Sequence, residues 1–466
     1  MIVVLSQGCA ANFGDGEKIA RILSQKSEVT FEFPQPNAAS TSSRMPVDLA
    51  TPHTEKPEAF YLNVCTVKGN AGAMKLLRKA ANTFPGVPIY ITGCAPKDFR
   101  EEALRAVPSV QFTSLKELED SAALPPQPAQ SPSSQTSART PGSNKIYRNV
   151  LRESPFVGIV NIEEGCLDAC AFCSTHLVKG RLHSFAPQTI VDQVQALVDD
   201  GCLEIQLTGQ DCACYGFDIG TNLAELTQRI LTHVNGNYRI RLGMGNPRHV
   251  LGYQEALLDC FTDDRIYKFI HIPVQSGSEN VLKAMNRRHT ARDYATLAHA
   301  FTERFRKFTL STDLIVGYPG ETDADFNDTL KLLKETRPTV CNITRFVARP
   351  GTVAARLETS KPTHPESAKK SAHLAPAPRA VPDDIKHERS AILAEAFQQI
   401  ALENNREWIG DECTVVTEKQ GYRAGTTIAR NEAYRPVALQ GTFPAVQTLR
   451  VRITDAEPFA LIAKPL

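Results

Sequence analysis

The sequence lacks any apolar run close to the roughly 20 residues that a membrane-spanning helix requires. It also lacks the marks of a signal peptide, because Met1 leads directly into the strand-like segment IVVLS without a basic stretch or a cleavage site. From these absences we expect a cytoplasmic protein with no membrane partner. In a reducing compartment the 12 cysteines are not a disulfide scaffold, and clustered cysteines there more often bind metal or do chemistry.

The chain has no excess of charge of either sign. Lys and Arg number 52 against 51 for Asp and Glu among 466 residues, which gives a formal net charge of +1. This balance neither demands nor excludes a nucleic-acid partner, and any basic surface must be local.

Three segments have too few large apolar residues to offset the entropy of ordering them. They are 34–57, 125–144 and 359–384, all rich in Pro, Ser and Ala. We interpret the first and third as insertions in loops and the second as an interdomain linker.

Strands and helices alternate through the first three quarters of the chain. The amino-terminal runs IVVLS, FYLNV and VPIYIT, with helices predicted near 15–27 and 70–83, indicate an α/β layer with a parallel sheet. Six further strand-like runs alternate with helices predicted near 187–200, 222–234, 252–262, 278–305 and 322–336. This second pattern favours a βα barrel, complete or partial, with its chemistry at the carboxyl ends of the strands.

The segment from about residue 407 onward has a different character. The runs ECTVVTE, YRPVAL, TLRVRITDA and FALIAK are short, alternate in polarity and are separated by Gly and Pro. They predict a small antiparallel barrel.

Three cysteines in the segment GCLDACAFC form what we name the central triad: Cys166, Cys170 and Cys173. Their C-x3-C-x2-C spacing can hold three irons of a [4Fe–4S] cube and leave the fourth iron open to S-adenosylmethionine. A zinc knuckle with His176 as the fourth ligand is the alternative. The spacing favours the cluster.

Three more cysteines each follow a strand-like run of the amino-terminal block, and we name Cys9, Cys65 and Cys94 the amino-terminal triad. In a parallel α/β layer such positions converge on the carboxyl edge of the sheet, where ligands bind. The triad could therefore hold a second cluster, although packing is the alternative because thiols are often buried. The other six cysteines are assigned to packing: Cys202, Cys212, Cys214, Cys260, Cys341 and Cys413.

These motifs resemble those of the radical S-adenosylmethionine methylthiotransferases over nearly the whole chain outside the low-complexity segments. The matching segments are CAANFGD, NVCTVKGNA, TGC, GCLDACAFCSTHLVKGRLHSF, IPVQSGSENVLKAMNRRHT, TDLIVGYPGET and RFVARPGT. The resemblance implies that the amino-terminal triad binds an auxiliary [4Fe–4S] cluster and that the central triad binds the radical cluster, which uses S-adenosylmethionine.

The resemblance also implies a domain order. It comprises a flavodoxin-like domain at 1–124 with the insert 34–57, the linker 125–144, a partial βα radical S-adenosylmethionine core at 145–358, the insert 359–384, a connecting helix at 385–406 and a TRAM-like RNA-binding barrel at 407–466.

Within the family, the central motif and the run TGQDCACYGFDIG resemble the archaeal and eukaryotic branch. That branch implies 2-methylthiolation of N6-threonylcarbamoyladenosine at position 37 of tRNA, by radical chemistry with sulfur insertion and methylation. Its partners would be tRNA, a flavodoxin- or ferredoxin-like electron donor and a sulfur donor. Asp168, Ala169 and Ser174 depart from the family pattern. Branches acting on isopentenyladenosine tRNA or on a ribosomal protein stay open, as does a non-catalytic, zinc-stabilised RNA-binding protein.

By the same resemblance, residues after three strands contact S-adenosylmethionine: Thr208, Gly209, Gln210, Asp211, Gln275, Ser276, Gly317 and Glu321. Ordinary βα turns are the alternative for each segment.

Arginines supply the candidate RNA contacts, although solvated surface charge is the commoner role. The candidates are Arg345, Arg349, Arg423, Arg450 and Arg452. Further basic or aromatic residues near the same motifs are Arg181, Arg287, Arg288, Arg430, Arg435, Tyr422, Tyr434 and Phe443.

Overall fold

The computed structural model describes residues 1–34, 56–65, 70–121, 151–359 and 380–466. The predicted linker at 125–144 lies outside the described residues, and so does most of the inserts predicted at 34–57 and 359–384. The chain forms two compact units. The first comprises Met1–Asn161 with Gln188–Cys202, and the second comprises Ile162–Pro187 with Leu203–Leu466.

The amino-terminal strands form one parallel sheet in the order β2-β1-β3-β4-β5. The strands are β1 (Ile2–Ser6), β2 (Val29–Thr30), β3 (Ala59–Cys65), β4 (Ile89–Cys94) and β5 (Gln111–Phe112). The helices are α1 (Ala10–Ser24), α2 (Ala71–Thr83), α3 (Lys97–Ala106) and α4 (Leu115–Ser121). Strand β3 is a nearly continuous apolar run, as expected of a strand whose two faces are both covered. Helix α1 begins five residues before the predicted 15–27, because the extended Cys9 is its N-cap.

The middle of the chain continues the alternation. Its strands are β6 (Val157–Asn161), β7 (Glu163–Glu164), β8 (His183–Ser184), β9 (Glu204–Thr208), β10 (Arg239–Leu242), β11 (Phe269–His271), β12 (Thr309–Val316) and β13 (Val340–Arg345). Its helices are α5 (Thr175–Lys179), α6 (Pro187–Asp199), α7 (Leu223–His233), α8 (Pro247–Val250), α9 (Gln254–Cys260), α10 (Glu279–Ala284), α11 (Ala291–Arg304), α12 (Asp323–Thr336) and α13 (Val353–Thr359).

Strands β9 to β13 of the second unit run parallel to one another. Strand β9 pairs with β10, and β12 pairs with both β11 and β13. A single parallel bridge between Ile240 and Ile266 links β10 to the segment before β11. The carboxyl ends of these strands therefore share one edge, and their amino ends share the opposite edge.

The single helix predicted near 278–305 is wrong, because two helices occupy that stretch. Helix α10 ends at Ala284, and Asn286 then adopts a left-handed backbone with φ +57°. Thr290 starts α11 by a capping box: its hydroxyl accepts from the Asp293 N–H at 3.0 Å, and the Asp293 carboxylate accepts from the Thr290 N–H at 2.8 Å.

Helix α14 (Asp383–Arg406) leads into a closed five-stranded barrel of order β14-β15-β16-β18-β17. The strands are β14 (Glu412–Gln420), β15 (Thr426–Asn431), β16 (Pro436–Gln440), β17 (Thr448–Glu457) and β18 (Ala460–Pro465). Two details differ from the sequence-based expectation, because β15 was not predicted and β16 pairs with β18 in parallel. Among the described residues, no helix is both long and apolar enough to cross a bilayer.

Candidate active site

The amino-terminal triad gathers at the carboxyl edge of the five-stranded sheet. Cys65 and Cys94 end the neighbouring strands β3 and β4, and they are register partners. Cys9 follows β1, which pairs with β3 on its other side. Three adjacent strands therefore deliver three thiols to one edge, between β1 and β4, where doubly wound sheets bind ligands.

Close packing fixes the Cys9 loop against the end of β3. Gly8 has φ +123°, and a Cβ there would lie 2.3 Å from the Cys65 Cβ, so only glycine fits. The Asn12 side chain donates to the Asn63 carbonyl at 3.0 Å, and the Asn63 side chain donates back to the Asn12 carbonyl. The asparagine of the motif CAANFGD thus ties the loop that carries Cys9 to the strand that carries Cys65.

Burial separates five of the six triad cysteines from the other cysteines. Cys9 is exposed, Cys65 and the whole central triad are half-buried, and Cys94 is buried. All six cysteines assigned to packing are buried. A thiol that binds a bulky group must be reachable, and these five cysteines meet that condition. Cys94 is as buried as the cysteines assigned to packing, so its role as a ligand stays a prediction.

The central triad lies in an irregular loop between β7 and α5, and the downstream half of its motif holds that loop. The Cys166 N–H donates to the Gly180 carbonyl at 3.3 Å, and β8 pairs with β7 beside it. Gly165 has φ +80°, and a Cβ there would lie 2.1 Å from the Arg181 carbonyl oxygen. The KGRLHS segment therefore belongs to the site because it braces the cysteine loop.

A second segment braces the other end of the loop. The Ala171 N–H donates to the Met285 carbonyl at 2.9 Å, and the Arg287 guanidinium lies 3.6 Å from the Cys170 sulfur. Burial raises the pKa of the Cys170 thiol to about 11, and the positive charge of Arg287 opposes that rise. Arg287 therefore faces a cysteine of the triad, and the RNA contact considered from sequence stays a prediction.

Cys214 also lies at the triad, although the sequence favoured packing for it. Its thiol hydrogen-bonds to Cys166, and this contact lowers the pKa of Cys166. The Cys214 sulfur also lies 3.1 Å from the Asp211 carbonyl oxygen. The strand that ends in TGQD thereby contacts the cysteine loop directly.

Asp168, inside the loop, is the centre of a polar cluster that the sequence did not reveal. Its carboxylate accepts from the Asn246 amide at 2.6 Å and from the Arg248 guanidinium at 2.5 Å, and His249 Nε2 lies 3.2 Å away. Burial opposes ionisation of Asp168, but the His249 hydrogen bond and the Arg248 charge outweigh it, so its pKa is lowered. A polar run after β10, in NPRHV, was the available signal.

We expect Asp168→Asn to loosen the cysteine loop. Losing a charge-assisted hydrogen bond costs roughly 1.5–3 kcal/mol, which should speed amide hydrogen exchange in residues 166–173 by about tenfold or more. Mass spectrometry of exchange in the apoprotein measures this. Asp264→Asn is the control, because Asp264 is fully exposed and its ion pair with Lys268 is long, at 3.9 Å. Equal exchange in both variants would show that Asp168 does not anchor the loop.

The described residues do not form a zinc site from cysteine. Ligand atoms around tetrahedral zinc lie about 4 Å apart, because each Zn–S bond is about 2.3 Å. In the part of the chain that the structure describes, the sole group with three ligand atoms within 4.8 Å of one another is Asp168, Asp211 and His249. Neither triad, with or without His176, has that spacing.

The residues predicted to contact S-adenosylmethionine lie at or after the carboxyl ends of β9, β11 and β12. Several side chains there already bond within the protein. Gln210 accepts from the Gly165 N–H at 2.7 Å, and the Ser276 hydroxyl lies 3.2 Å from the Thr329 hydroxyl. Glu321 accepts from Arg389 at 2.9 Å. These bonds order the rim loops, and direct contact with a cofactor stays a prediction.

Glu163 is a buried carboxyl beside this rim that the sequence did not single out. Its Oε1 accepts from the Asp211 N–H at 3.0 Å, and its Oε2 has no hydrogen-bond partner. Burial raises the pKa of Glu163 to about 8 and also raises the pKa of Asp211. The rim therefore holds two buried acidic groups, and a bound cation would offset the free-energy cost of ionising them.

The basic residues of the terminal barrel divide into exposed and structural ones. The side chains of Arg423, Arg450 and Arg452 are 76%, 71% and 55% exposed. All three pair with a glutamate: Arg423 with Glu457, and Arg450 and Arg452 with Glu412. Arg430 pairs with Glu418 at 2.5 Å and is less exposed, and Arg435 is buried. The suggestion that Arg435 contacts RNA is therefore wrong, whereas an RNA contact of Arg430 stays a prediction. Arg345 is exposed at the end of β13, and Arg349 is half-buried.

Comparison with known proteins places this site in context. The family described as the Radical SAM superfamily matches residues 160–333, which include the central triad. A protein of Archaeoglobus fulgidus named "Probable threonylcarbamoyladenosine tRNA methylthiotransferase" is 40% identical over 66% of this chain and 66% of its own length.

Two further relatives carry corresponding names. One from Pyrococcus horikoshii, "Probable threonylcarbamoyladenosine tRNA methylthiotransferase", is 31% identical over 94% of this chain and 93% of its own length. The "Threonylcarbamoyladenosine tRNA methylthiotransferase" of Homo sapiens is 29% identical over 83% of this chain and 64% of its own length.

Proposed function

The chain belongs to the threonylcarbamoyladenosine tRNA methylthiotransferase family, and we propose that it adds a methylthio group to C2 of N6-threonylcarbamoyladenosine at position 37 of tRNA. Its match to the radical S-adenosylmethionine superfamily supports S-adenosylmethionine and one [4Fe–4S] cluster as cofactors. When bound, they supply a 5′-deoxyadenosyl radical. The reaction requires a radical because the C2–H of the adenosine ring is not acidic and the carbon is a poor electrophile.

We assign the radical cluster to the central triad. The loop is half-exposed and braced at both ends, so its three sulfurs are held in place and can be reached. Arg287 offers a positive charge to Cys170, which favours the thiolate that iron requires. The unpartnered Glu163 oxygen and the Asp211 carboxylate offer a place for the amino group of S-adenosylmethionine.

We assign a second [4Fe–4S] cluster to the amino-terminal triad of a flavodoxin-like domain. The convergence of Cys9, Cys65 and Cys94 at one sheet edge is the observation that carries the proposed function. The central triad alone would fit any enzyme of the superfamily, whereas insertion of sulfur needs a second metal-bound source. A sulfur donor and a flavodoxin- or ferredoxin-like reductant would serve the two clusters.

The terminal barrel would bind the tRNA as a TRAM-like module. The hairpin tip between β14 and β15 carries Tyr422, which is 93% exposed, next to the exposed Arg423. An exposed aromatic ring can stack on a base while nearby arginines neutralise phosphates. Arg450 and Arg452 are two further exposed arginines, beside the start of β14. We place the reaction in the cytoplasm, with no membrane partner.

The proposed activity is tested with the reconstituted full chain, S-adenosylmethionine, dithionite and tRNA that carries N6-threonylcarbamoyladenosine. Mass spectrometry of the digested nucleosides should show the 2-methylthio product. The same tRNA without the threonylcarbamoyl group, isopentenyladenosine tRNA and ribosomal protein are parallel substrates. Product on one of these and none on the first tRNA would contradict the proposal and name another branch.

A further inference from the structure

The turn between β15 and β16 of the terminal barrel meets the parallel strands of the core. The Asn431 side chain closes this turn by accepting from the N–H groups of Ala433 and Arg435, at 3.1 and 2.9 Å. Tyr434 adopts φ +58°, a left-handed conformation that costs free energy for a bulky residue. Such a conformation persists only where surrounding contacts hold it.

Successive residues of the turn bond to different core strands. The Glu432 carbonyl accepts from the Lys268 N–H at 2.9 Å, just before β11. The Ala433 carbonyl accepts from the hydroxyl of Thr309, the first residue of β12, at 2.6 Å. The turn is therefore fixed by the backbone as well as by side chains.

Tyr434 makes the widest contact. Its hydroxyl donates to Glu204, the first residue of β9, at 2.9 Å, and accepts from the Gln206 amide at 3.3 Å. Its ring centroid lies 4.9 Å from that of Tyr267 and 5.1 Å from that of Phe269. One side chain thus touches both β9 and the start of β11.

Apart from Gln206 in the middle of β9, these partners lie at the amino ends of the core strands, whereas the central triad is braced from the carboxyl side. Strands β9 and β12 have five and eight residues. At about 3.3 Å per residue they separate the two edges by roughly 17–26 Å. The turn is therefore attached to the core at the edge opposite to the one that faces the central triad.

We propose that the 431–435 turn locks the barrel to the amino edge of the core, and that Tyr434 is a positioning residue that sets where the barrel supports the tRNA. This inference rests on the proposed function for its substrate. The partner it implies is an RNA long enough to contact the barrel and the triad edge together. A flexible barrel would bind the same RNA but add less to its affinity, because the effective concentration of the second contact falls.

The test uses the full chain with Tyr434→Ala, Tyr434→Phe and Tyr422→Ala. For Tyr434→Ala we expect faster amide exchange in 204–206, 267–269 and 431–435. We also expect KM for full-length tRNA to rise about tenfold, because the barrel then adds less to the affinity. The value of kcat should not change, and neither should KM for a short anticodon-loop RNA. Tyr434→Phe keeps the ring packing and should fall between wild type and Tyr434→Ala. Tyr422→Ala should weaken tRNA binding without changing exchange at the turn.

Unchanged exchange in Tyr434→Ala, or faster exchange with KM for full-length tRNA unchanged, would overturn the proposal. If Tyr434→Ala does not fold, Thr309→Val removes the hydroxyl bond to Ala433 at nearly constant volume and takes its place. If wild-type protein does not modify tRNA at all, the proposed function fails, and the lock is then judged by amide exchange alone. The two failures are thereby distinguished.

Discussion

Cys170→Ala should reduce methylthiolation of tRNA by at least about 10⁴-fold, because the uncatalysed reaction has no comparable route. The same variant should also lose reductive cleavage of S-adenosylmethionine. A cube with one open iron needs three protein thiolates, and the variant keeps only two. Iron after anaerobic reconstitution should fall from about eight to about four per chain. Nucleoside mass spectrometry measures the methylthiolation, chromatography of 5′-deoxyadenosine measures the cleavage, and iron analysis measures the cluster content.

Cys260→Ala is the matched control for this variant. Cys260 is buried, and its thiol contacts the Ala224 carbonyl at 3.5 Å within the same unit of the chain. It should keep about eight irons and the cleavage activity. If Cys170→Ala still cleaves S-adenosylmethionine, the radical cluster is not held by the central triad.

Cys65→Ala should separate radical formation from sulfur insertion. Cys65 is the middle thiol of its edge, between the Cys9 loop and its register partner Cys94. Its removal should again leave about four irons per chain, but the protein should still produce 5′-deoxyadenosine. The 2-methylthio nucleoside should disappear. Spectroscopy of the remaining cluster and nucleoside mass spectrometry on one sample check both halves.

Cys202→Ala serves as the control in the same unit, because Cys202 is buried. It should retain both clusters and the product. A Cys65→Ala protein that keeps about eight irons, or that still forms the methylthio product, would show that the amino-terminal triad does not bind the cluster that supplies sulfur. Loss of 5′-deoxyadenosine as well would indicate that Cys65 supports the whole fold of the site instead.

The two sets of cysteines could be read from the sequence for different reasons. The central triad lies within eight residues, so the spacing alone predicts that its three thiols are close together, whatever the fold. The amino-terminal triad is spread over 86 positions, but each cysteine follows a strand-like run, and parallel strands bring such positions to one edge.

The sequence was weakest where a residue's role depends on a distant partner. Asp168 departs from the family pattern, yet only the fold shows that Asn246 and Arg248, some 80 positions away, bind it. The break at Asn286 and the capping box at Thr290 divide a stretch whose apolar pattern predicts one helix. Strand β15 was missed because TTIARN is short, and its β identity comes from neighbours on both sides.

By itself, the sequence determined which residues are predicted to carry the chemistry, because thiol spacing and strand–helix alternation are local properties of the chain. The tertiary structure alone decided which polar and aromatic residues serve the fold. Tyr434 and Arg435 resemble RNA contacts in composition, but the Tyr434 ring packs on Tyr267 and Arg435 is buried. The physical reason is burial, since a side chain's free energy depends on the groups that replace water around it, and those groups come from distant parts of the chain.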